Sequence, residues 1–185
     1  MRDLRAGLAA YAIDGRDEIV PAATGGGRSS YRNAGGTRRH GIEASIDGRW
    51  RDDWRYALAL SRIHAVFDGD AALVGKRMPG IPRAEAFAEL EWRPRARRLG
   101  MAMEARANGP VAVDDGNRAF APGSTRFALR LQWRHAGGWH GFARIDNLFD
   151  RAHVGSVIVN DGNRRWFEPG AGRALTLGVG RGPAR

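Results

Sequence analysis

Residues 127–134 read Phe-Ala-Leu-Arg-Leu-Gln-Trp-Arg, so apolar and polar side chains alternate along the whole stretch. Alternation with a period of two is typical of a β-strand with one apolar face and one wet face. A water-soluble sheet covers its apolar face with a core, whereas an outer-membrane barrel turns that face to lipid and its polar face to the lumen. The rest of the sequence decides which of these arrangements applies.

The composition limits the kinds of protein this chain can be. Its 185 residues make one domain or a piece of a larger one, and 43% hydrophobic residues exclude a disordered chain. The absence of cysteine excludes disulfides, thiolate metal sites and a cysteine nucleophile. The net charge of +10 comes almost wholly from arginine, since Lys76 is the only lysine. The arginines are scattered, and their densest stretch, 93–98, falls at a predicted turn. This distribution favours a wet barrel wall over a nucleic-acid stripe.

Eight strands are predicted by the alternation, at about residues 4–13, 31–50, 54–67, 84–92, 99–107, 125–134, 139–147 and 173–180. Short turns at 51–53, 93–98 and 135–138 alternate with long loops at 14–30, 68–83, 109–124 and 148–172, which we expect to lack regular structure. Such loops are unusual in compact soluble domains but typical of the outer end of membrane barrels. The short turns are flanked by Trp50, Trp54, Trp92, Trp133 and Trp139. We therefore predict an all-β fold, an antiparallel up-and-down transmembrane β-barrel portion of about eight strands with an aromatic girdle.

Four short motifs occur in order between these strands. They are Asn-Ala-Gly at 33–35 with His-Gly-Ile-Glu at 40–43, Met-Pro-Gly-Ile-Pro at 78–82, Asp-Asn-Leu-Phe-Asp at 146–150, and Phe-Glu-Pro-Gly followed by Gly-Arg at 167–173. With these motifs the chain resembles the C-terminal barrel portion of a TonB-dependent outer-membrane receptor, from about residue 4 to residue 180. Structural roles are expected for the motif residues Asn33, Gly35, Gly41, Glu43, Pro79, Gly80, Pro82, Asn147, Phe149, Asp150, Pro169, Gly170 and Arg173.

The motif residues have plausible local roles. The glycines are expected to permit bends or bulges, and Pro79 and Pro82 to stop strand pairing in a loop. Asn147 and Asp150 are expected to satisfy the turn backbone where the seventh strand ends.

The resemblance implies a Gram-negative outer-membrane receptor with a 22-stranded, plugged barrel. Such receptors import large, scarce solutes such as ferric siderophores, haem or cobalamin, using energy delivered by TonB. Residues 1–185 are then expected to form a single partial barrel domain with outer-membrane lipid as partner and no nucleic-acid partner. The plug domain, the TonB box and a signal peptide are not found in the sequence, so TonB would be contacted only through the missing plug region. The end of the chain, 180–185, departs from the family's usual terminal aromatic residue, which suggests a fragment or a truncated gene.

In such receptors the ligand is held by the plug and the outer loops, so only loop residues are candidates here. The aromatic and arginine candidates for ligand binding are Arg28, Tyr31, Arg118, Phe120, Arg164, Arg165 and Trp166. The Gly-Gly-Gly-Arg-Ser run at 25–29 lacks the ending of a phosphate loop, and the five histidines lack metal-ligand spacing. We therefore expect no enzyme, no catalytic residue, no cofactor and no metal site.

Glu85, Glu89 and Glu91 form an acidic row, which Arg106 on the next strand is expected to balance. Two alternatives to the importer remain open. One is a soluble basic β-protein that binds nucleic acid or polyanion, and the other is a small, self-closed structural outer-membrane barrel.

Overall fold

The computed structural model describes residues 2–94 and 98–182, which fold almost entirely into β-structure. One antiparallel sheet contains eight long strands in the order β1-β4-β5-β6-β7-β10-β11-β14. Their bounds are β1 Arg2–Arg16, β4 Gly36–Trp50, β5 Trp54–Phe67, β6 Ala84–Trp92, β7 Leu99–Asn108, β10 Ser124–Arg134, β11 Trp139–Asp146 and β14 Ala174–Arg181. The antiparallel all-β fold and the number of long strands, eight, are thus confirmed.

Three of the long loops contain regular structure, which corrects the expectation of irregular loops. Each holds a small hairpin: β2 (Ile19–Gly25) with β3 (Arg28–Asn33), β8 (Val111–Ala112) with β9 (Phe120–Ala121), and β12 (Val154–Val157) with β13 (Phe167–Pro169). The prediction of one continuous strand over residues 31–50 was also wrong, because its first residues belong to a loop hairpin. Residues up to Asn33 belong to β3, and the long strand β4 begins only at Gly36 after a break at Ala34-Gly35, where Gly35 has a φ of +70°.

The pairing register separates two faces along the whole sheet. Residues opposite one another across the strands share a face, as in Ala44, Leu60 and Ala86, or Met103, Leu129 and Ile145. The apolar face carries many large side chains that are widely exposed, among them Leu58 at 38% and Leu8 at 77%. The opposite, polar face carries Glu43, Ser45, Ser61, Glu85, Glu89, Glu91, Glu104, Arg106, Arg126, Arg130, Gln132, Arg144 and Asp146. A sheet that buries neither face in a core is the expected form of a membrane barrel wall.

The tryptophans gather at the short turns, as predicted. Trp50 of β4, Trp54 of β5 and Trp92 of β6 stand opposite one another, with successive ring centroids 6.4 Å apart. The Arg181 guanidinium lies over the ring of Trp139 of β11, 5.6 Å from the ring centroid. The middle of the predicted turn at 93–98, residues 95–97, lies outside the described residues, as does the tail at 183–185.

The sheet is open in the part of the chain that the structure describes. β1 and β14 stand at its two edges and each pairs with one neighbour only, β1 with β4 and β14 with β11. A self-closed eight-stranded barrel would require these two strands to pair. The described strands do not form such a closed barrel.

The apolar clusters of the structure lie at the long-loop end. The first joins Phe67 to Val20, Ala34, Ala65 and Met78. The second joins Val113 to Val111 and Ala121, with Val154, Val157 and Trp166 packed against it. Backbone hydrogen bonds between loops, such as Gly80 N to Ala112 O and Asn160 N to Val113 O, both at 2.9 Å, join the loops into one cap on the sheet.

Candidate functional site

The centre of the polar face is a buried ion-pair cluster. The Arg144 guanidinium donates to both carboxylate oxygens of Glu104, Nη1 to Oε1 at 2.6 Å and Nη2 to Oε2 at 3.0 Å, and its Nε donates to Asp146 at 2.9 Å. Arg106 adds a longer contact of 3.8 Å to Glu104. The Glu104 side chain is only 7% exposed, so its charge depends on these arginines for compensation.

A second cluster lies nearer the short turns and corrects a pairing expected from the sequence. Glu91 contacts Arg93 at 2.6 Å and Arg130 at 3.8 Å, and Arg130 also reaches Glu89 at 3.5 Å. In the described residues Glu89 and Glu91 are therefore paired with Arg130 and Arg93 rather than with Arg106. The Arg106 guanidinium lies over the ring of Phe87, 5.3 Å from its centroid.

Small residues allow these ion pairs to cross a strand. Arg130 lies opposite Ala102, and Ala102 lies opposite Glu91, so the arginine reaches the carboxylate over a buried alanine. In the same way Glu104 lies opposite the buried Ala128 and reaches Arg144 on the strand beyond it. A larger side chain at either alanine would block the contact, since cross-strand neighbours on one face are only about 5 Å apart.

Above these clusters the polar face bounds two open cavities. The larger, of about 830 Å³, is lined among others by Glu43, Ser61, Glu85 and Arg106. The smaller, of about 490 Å³, lies beside the Glu104 cluster, and at its wall Arg126 Nη1 is 3.3 Å from His153 Nε2. Together they offer a charged, water-accessible inner surface beneath the loops.

Asn160 joins three of the long loops. Its side-chain Nδ2 donates to the carbonyl of Pro21 at 2.9 Å in the first loop, and its Oδ1 accepts from the backbone of Asp115 at 3.0 Å in the third. Its backbone bonds to Thr24 and Val113, at 3.1 and 2.9 Å. The first and last loops belong to opposite edges of the sheet, so Asn160 links the two edges through the cap.

Replacing Asn160 by alanine is expected to loosen the cap by about 2 kcal/mol, because two side-chain hydrogen bonds are lost and alanine tolerates the φ of +54° poorly. Limited proteolysis of the chain should cut the first and third loops several times faster. Asn163→Ala is the matched control, since Asn163 is exposed and makes no side-chain hydrogen bond within the described residues. Equal cutting rates in the two variants would contradict this role.

The base of the first loop explains the Asn-Ala-Gly motif. The Asn33 Oδ1 accepts from the backbone N–H of Gly35 at 2.7 Å, and its Nδ2 donates to Asp17 at 3.0 Å. Next to it Arg39 donates to Glu18 at 2.5 and 2.7 Å. These hydrogen bonds hold the pKa of the Glu18 carboxyl below its ordinary value. The motif thus closes the base of the loop, where β1 ends and β4 begins.

The last two motifs are joined to each other. Asn147 Oδ1 accepts from Arg151 N at 3.0 Å, and its Nδ2 donates to the carbonyls of Arg151 and Ala171 at 3.0 and 3.2 Å. Asp150 accepts from the backbone of Arg173 at 2.8 Å. These hydrogen bonds hold the turn after β11 and join it to the start of β14.

Other motif residues have less expected surroundings. The register runs without a bulge through Gly41, where a side chain would collide with the Tyr11 ring, so this glycine provides space rather than a bend. Phe149 packs edge-on against Phe127, with ring centroids 5.3 Å apart. Pro169 ends the hairpin strand β13. Pro79, Gly80 and Pro82 lie between β5 and β6, outside any strand, as predicted.

The predicted ligand-binding residues fall into two groups. Four are exposed on the first and last loops: Arg28, Tyr31, Arg164 and Arg165. The others take part in the cap. Arg118, although 83% exposed, contacts Asp114 at 3.3 Å. The Arg77 guanidinium lies over the ring of Phe120, 5.7 Å from the ring centroid. Trp166 is half-buried against the second apolar cluster.

Sequence reasoning missed several residues that organise the cap. Arg32 binds Asp115 at 3.0 Å and lies over the ring of Phe67, and Asn117 exchanges hydrogen bonds with the backbone of Arg77 at 2.7 and 2.9 Å. Only the clustering of Asn and Asp in the loops pointed to them.

Two searches of the described residues found nothing. No helix there has the length and apolarity needed to cross a membrane. No three acidic or histidine side chains there gather in a way suited to holding a metal ion.

An antiparallel sheet with an exposed apolar face, a charged inner face and all its long loops at one end defines a barrel-wall protein. The family model described as "TonB dependent receptor-like, beta-barrel" matches residues 2–148. The chain therefore belongs to this family, whose members are outer-membrane transport receptors rather than enzymes.

Solved structures with the same fold are receptors of this kind. The siderophore receptor PiuA of Acinetobacter baumannii aligns with a TM-score of 0.79 at 16% identity, over 95% of this chain and 26% of its own. The ferric yersiniabactin uptake receptor FyuA of Yersinia pestis aligns at 0.78 and 21% identity, over 97% of this chain and 27% of its own. The ferric preacinetobactin receptor BauA of A. baumannii aligns with a TM-score of 0.76 at 18% identity, over 95% of this chain and 27% of its own. The chain thus spans about a quarter of the length of these structures, and the likeness is one of fold.

Proposed function

We propose that this chain forms part of the wall and outer loops of a Gram-negative outer-membrane receptor that imports a large, scarce solute such as a ferric siderophore. The observation that carries the proposal is the division of one continuous sheet into an exposed apolar face and a charged face, with a packed loop cap at one end. In this account the apolar face contacts outer-membrane lipid. Energy from TonB reaches the receptor through a plug region rather than through residues 2–182, and residues 1–185 act as one partial barrel domain.

The chemistry of the loops suits an anionic chelate. Arg28, Arg164 and Arg165 are exposed there, and Tyr31 offers an aromatic surface that is 64% exposed. Guanidinium groups bind carboxylate and catecholate oxygens with charge-assisted hydrogen bonds, and a basic surface speeds the approach of an anion. We assign initial capture of the solute to these four residues, with Arg118, Phe120 and Trp166 shaping the cap around them.

The nucleic-acid alternative finds less support. Many arginines of the polar face are paired with carboxylates, among them Arg93, Arg130 and Arg144. A soluble protein would also have to leave a row of leucines exposed on the other face, which monomeric soluble proteins rarely do.

The test is binding of a ferric catecholate and a ferric hydroxamate complex to the full chain, extracted from outer membranes in mild detergent, by equilibrium dialysis. The Arg164→Ala/Arg165→Ala variant is expected to bind at least one of these complexes about tenfold more weakly, the equivalent of one or two charged hydrogen bonds. The matched control is Arg55→Ala/Arg134→Ala, which removes the same charge at the short-turn end. Equal affinities of the two variants, or no binding by the unmodified chain, would contradict capture by these loops.

A further inference from the structure

A basic groove interrupts the apolar face near the long loops. It has a volume of about 390 Å³ and is lined by His40, Arg62, His64 and Arg83, here called the basic quartet, together with Ala10, Ile42 and backbone neighbours. His40 of β4 stands directly opposite His64 of β5, with ring centroids 4.9 Å apart. Arg62 stands opposite Ile42, on the same face.

In the part of the chain that the structure describes, no ion pair compensates the two arginines of the basic quartet. No acidic residue is among those lining the groove, and neither Arg62 nor Arg83 makes an ion pair within residues 2–94 and 98–182. On the same face, Asp68 and Asp14 contact Arg38, at 2.6 and 3.6 Å, rather than the quartet. Arginines without an acidic partner at the edge of the apolar band are well placed to bind an anion from outside the chain.

The depth of the groove shows where that anion lies. Ten residues of β4 separate His40 from Trp50 in the girdle, which is about 33 Å along a strand. At the usual barrel tilt this corresponds to a height of about 25 Å, the thickness of the apolar band of such barrels. With the tryptophans at one interface, the basic quartet lies at the other, on the side of the long loops. Arg62, slightly deeper, reaches the same level by extending its side chain.

We infer that the basic quartet binds the phosphate of an anionic lipid headgroup in the leaflet on the loop side. Two guanidinium groups and two imidazole rings supply donors suited to phosphate oxygens, and Ala10 and Ile42 provide an apolar floor for the acyl chain. The inference rests on the proposed function only in taking the apolar face to be turned to lipid.

The test is native mass spectrometry of the full chain, extracted from outer membranes and titrated with phosphatidic acid or phosphatidylcholine. The unmodified chain is expected to retain at least fivefold more phosphatidic acid than the Arg62→Gln/Arg83→Gln variant, and to prefer it over phosphatidylcholine. Arg55→Gln/Arg134→Gln, with the same charge change on the polar face, is expected to retain it normally. Arg62→Lys/Arg83→Lys keeps the charge and should preserve most of the binding.

Three results would overturn the inference: equal retention in the Arg62/Arg83 and Arg55/Arg134 glutamine variants, equal retention of the two lipids, or displacement of the lipid by an equal concentration of inorganic phosphate, which would indicate a bare anion site. Membrane fractionation of the same cells separates this failure from failure of the proposed function. A chain that stays in the outer membrane without selective lipid retention refutes only the lipid site.

Discussion

Replacing Leu60 by arginine is expected to destabilise the membrane-inserted chain by about 2–4 kcal/mol. Leu60 is 47% exposed on the apolar face, between Ala44 and Ala86 of the neighbouring strands. Its position six residues from Trp54 corresponds to a height of about 14 Å above the girdle at the usual tilt, close to the middle of the apolar band. A guanidinium there meets hydrocarbon and has no nearby carboxylate.

The adjacent residue provides the matched control. Ser61 points to the polar face and lies opposite Glu43 on one side and Glu85 on the other. Ser61→Arg places the same charge one position away beside two carboxylates, so we expect a change below about 1 kcal/mol. Urea titrations of both variants in lipid vesicles, followed by tryptophan fluorescence, measure the difference. Similar losses at both positions would mean that the apolar face does not contact lipid.

Replacing Arg144 by methionine is expected to cost about 3 kcal/mol, the second large effect. The substitution leaves the buried Glu104 carboxylate with only the 3.8 Å contact to Arg106. The double variant Glu104→Gln/Arg144→Met removes the unpaired charge as well, so it should be more stable than Arg144→Met alone.

The same urea titrations test this expectation. Arg134→Met is the control, because Arg134 is exposed at the end of β10 and makes no ion pair in the described part of the chain. If Arg144→Met and Arg134→Met were equally stable, the ion-pair cluster would contribute nothing to the wall.

The sequence predicted the strands of the sheet well because their two faces meet different surroundings. In β5 the alternation is clear from Trp54 to Leu60, and the bounds of β5 and β6 at Trp54, Phe67, Ala84 and Trp92 are those expected. The loop hairpins escaped prediction because they are short and carry turn-forming residues, such as Pro21 within β2. Their order depends on distant partners, above all on Asn160, which no local pattern reveals.

The candidate site was predicted only in part. Asn147 could be placed near a turn from the sequence because its hydrogen bonds to Arg151 are local, whereas the bond from Arg173 to Asp150 joins residues far apart in the chain. The ion pairs were assigned to the wrong arginine, since the next strand offered Arg106, whereas Glu91 contacts Arg93 and, across the small Ala102, Arg130. Such contacts depend on register and on the size of the intervening residue, neither of which is visible before the sheet is assembled.

The central claim, a barrel wall with its long loops outside the cell, is tested most directly by labelling introduced cysteines. The chain has no cysteine of its own, so Ser29→Cys in the first loop and Ala136→Cys in a short turn each provide a single thiol. We predict that a membrane-impermeant maleimide labels Ser29→Cys in intact cells, and labels Ala136→Cys only after the outer membrane is permeabilised. Equal labelling of both in intact cells, or recovery of the chain in the soluble fraction, would contradict the account.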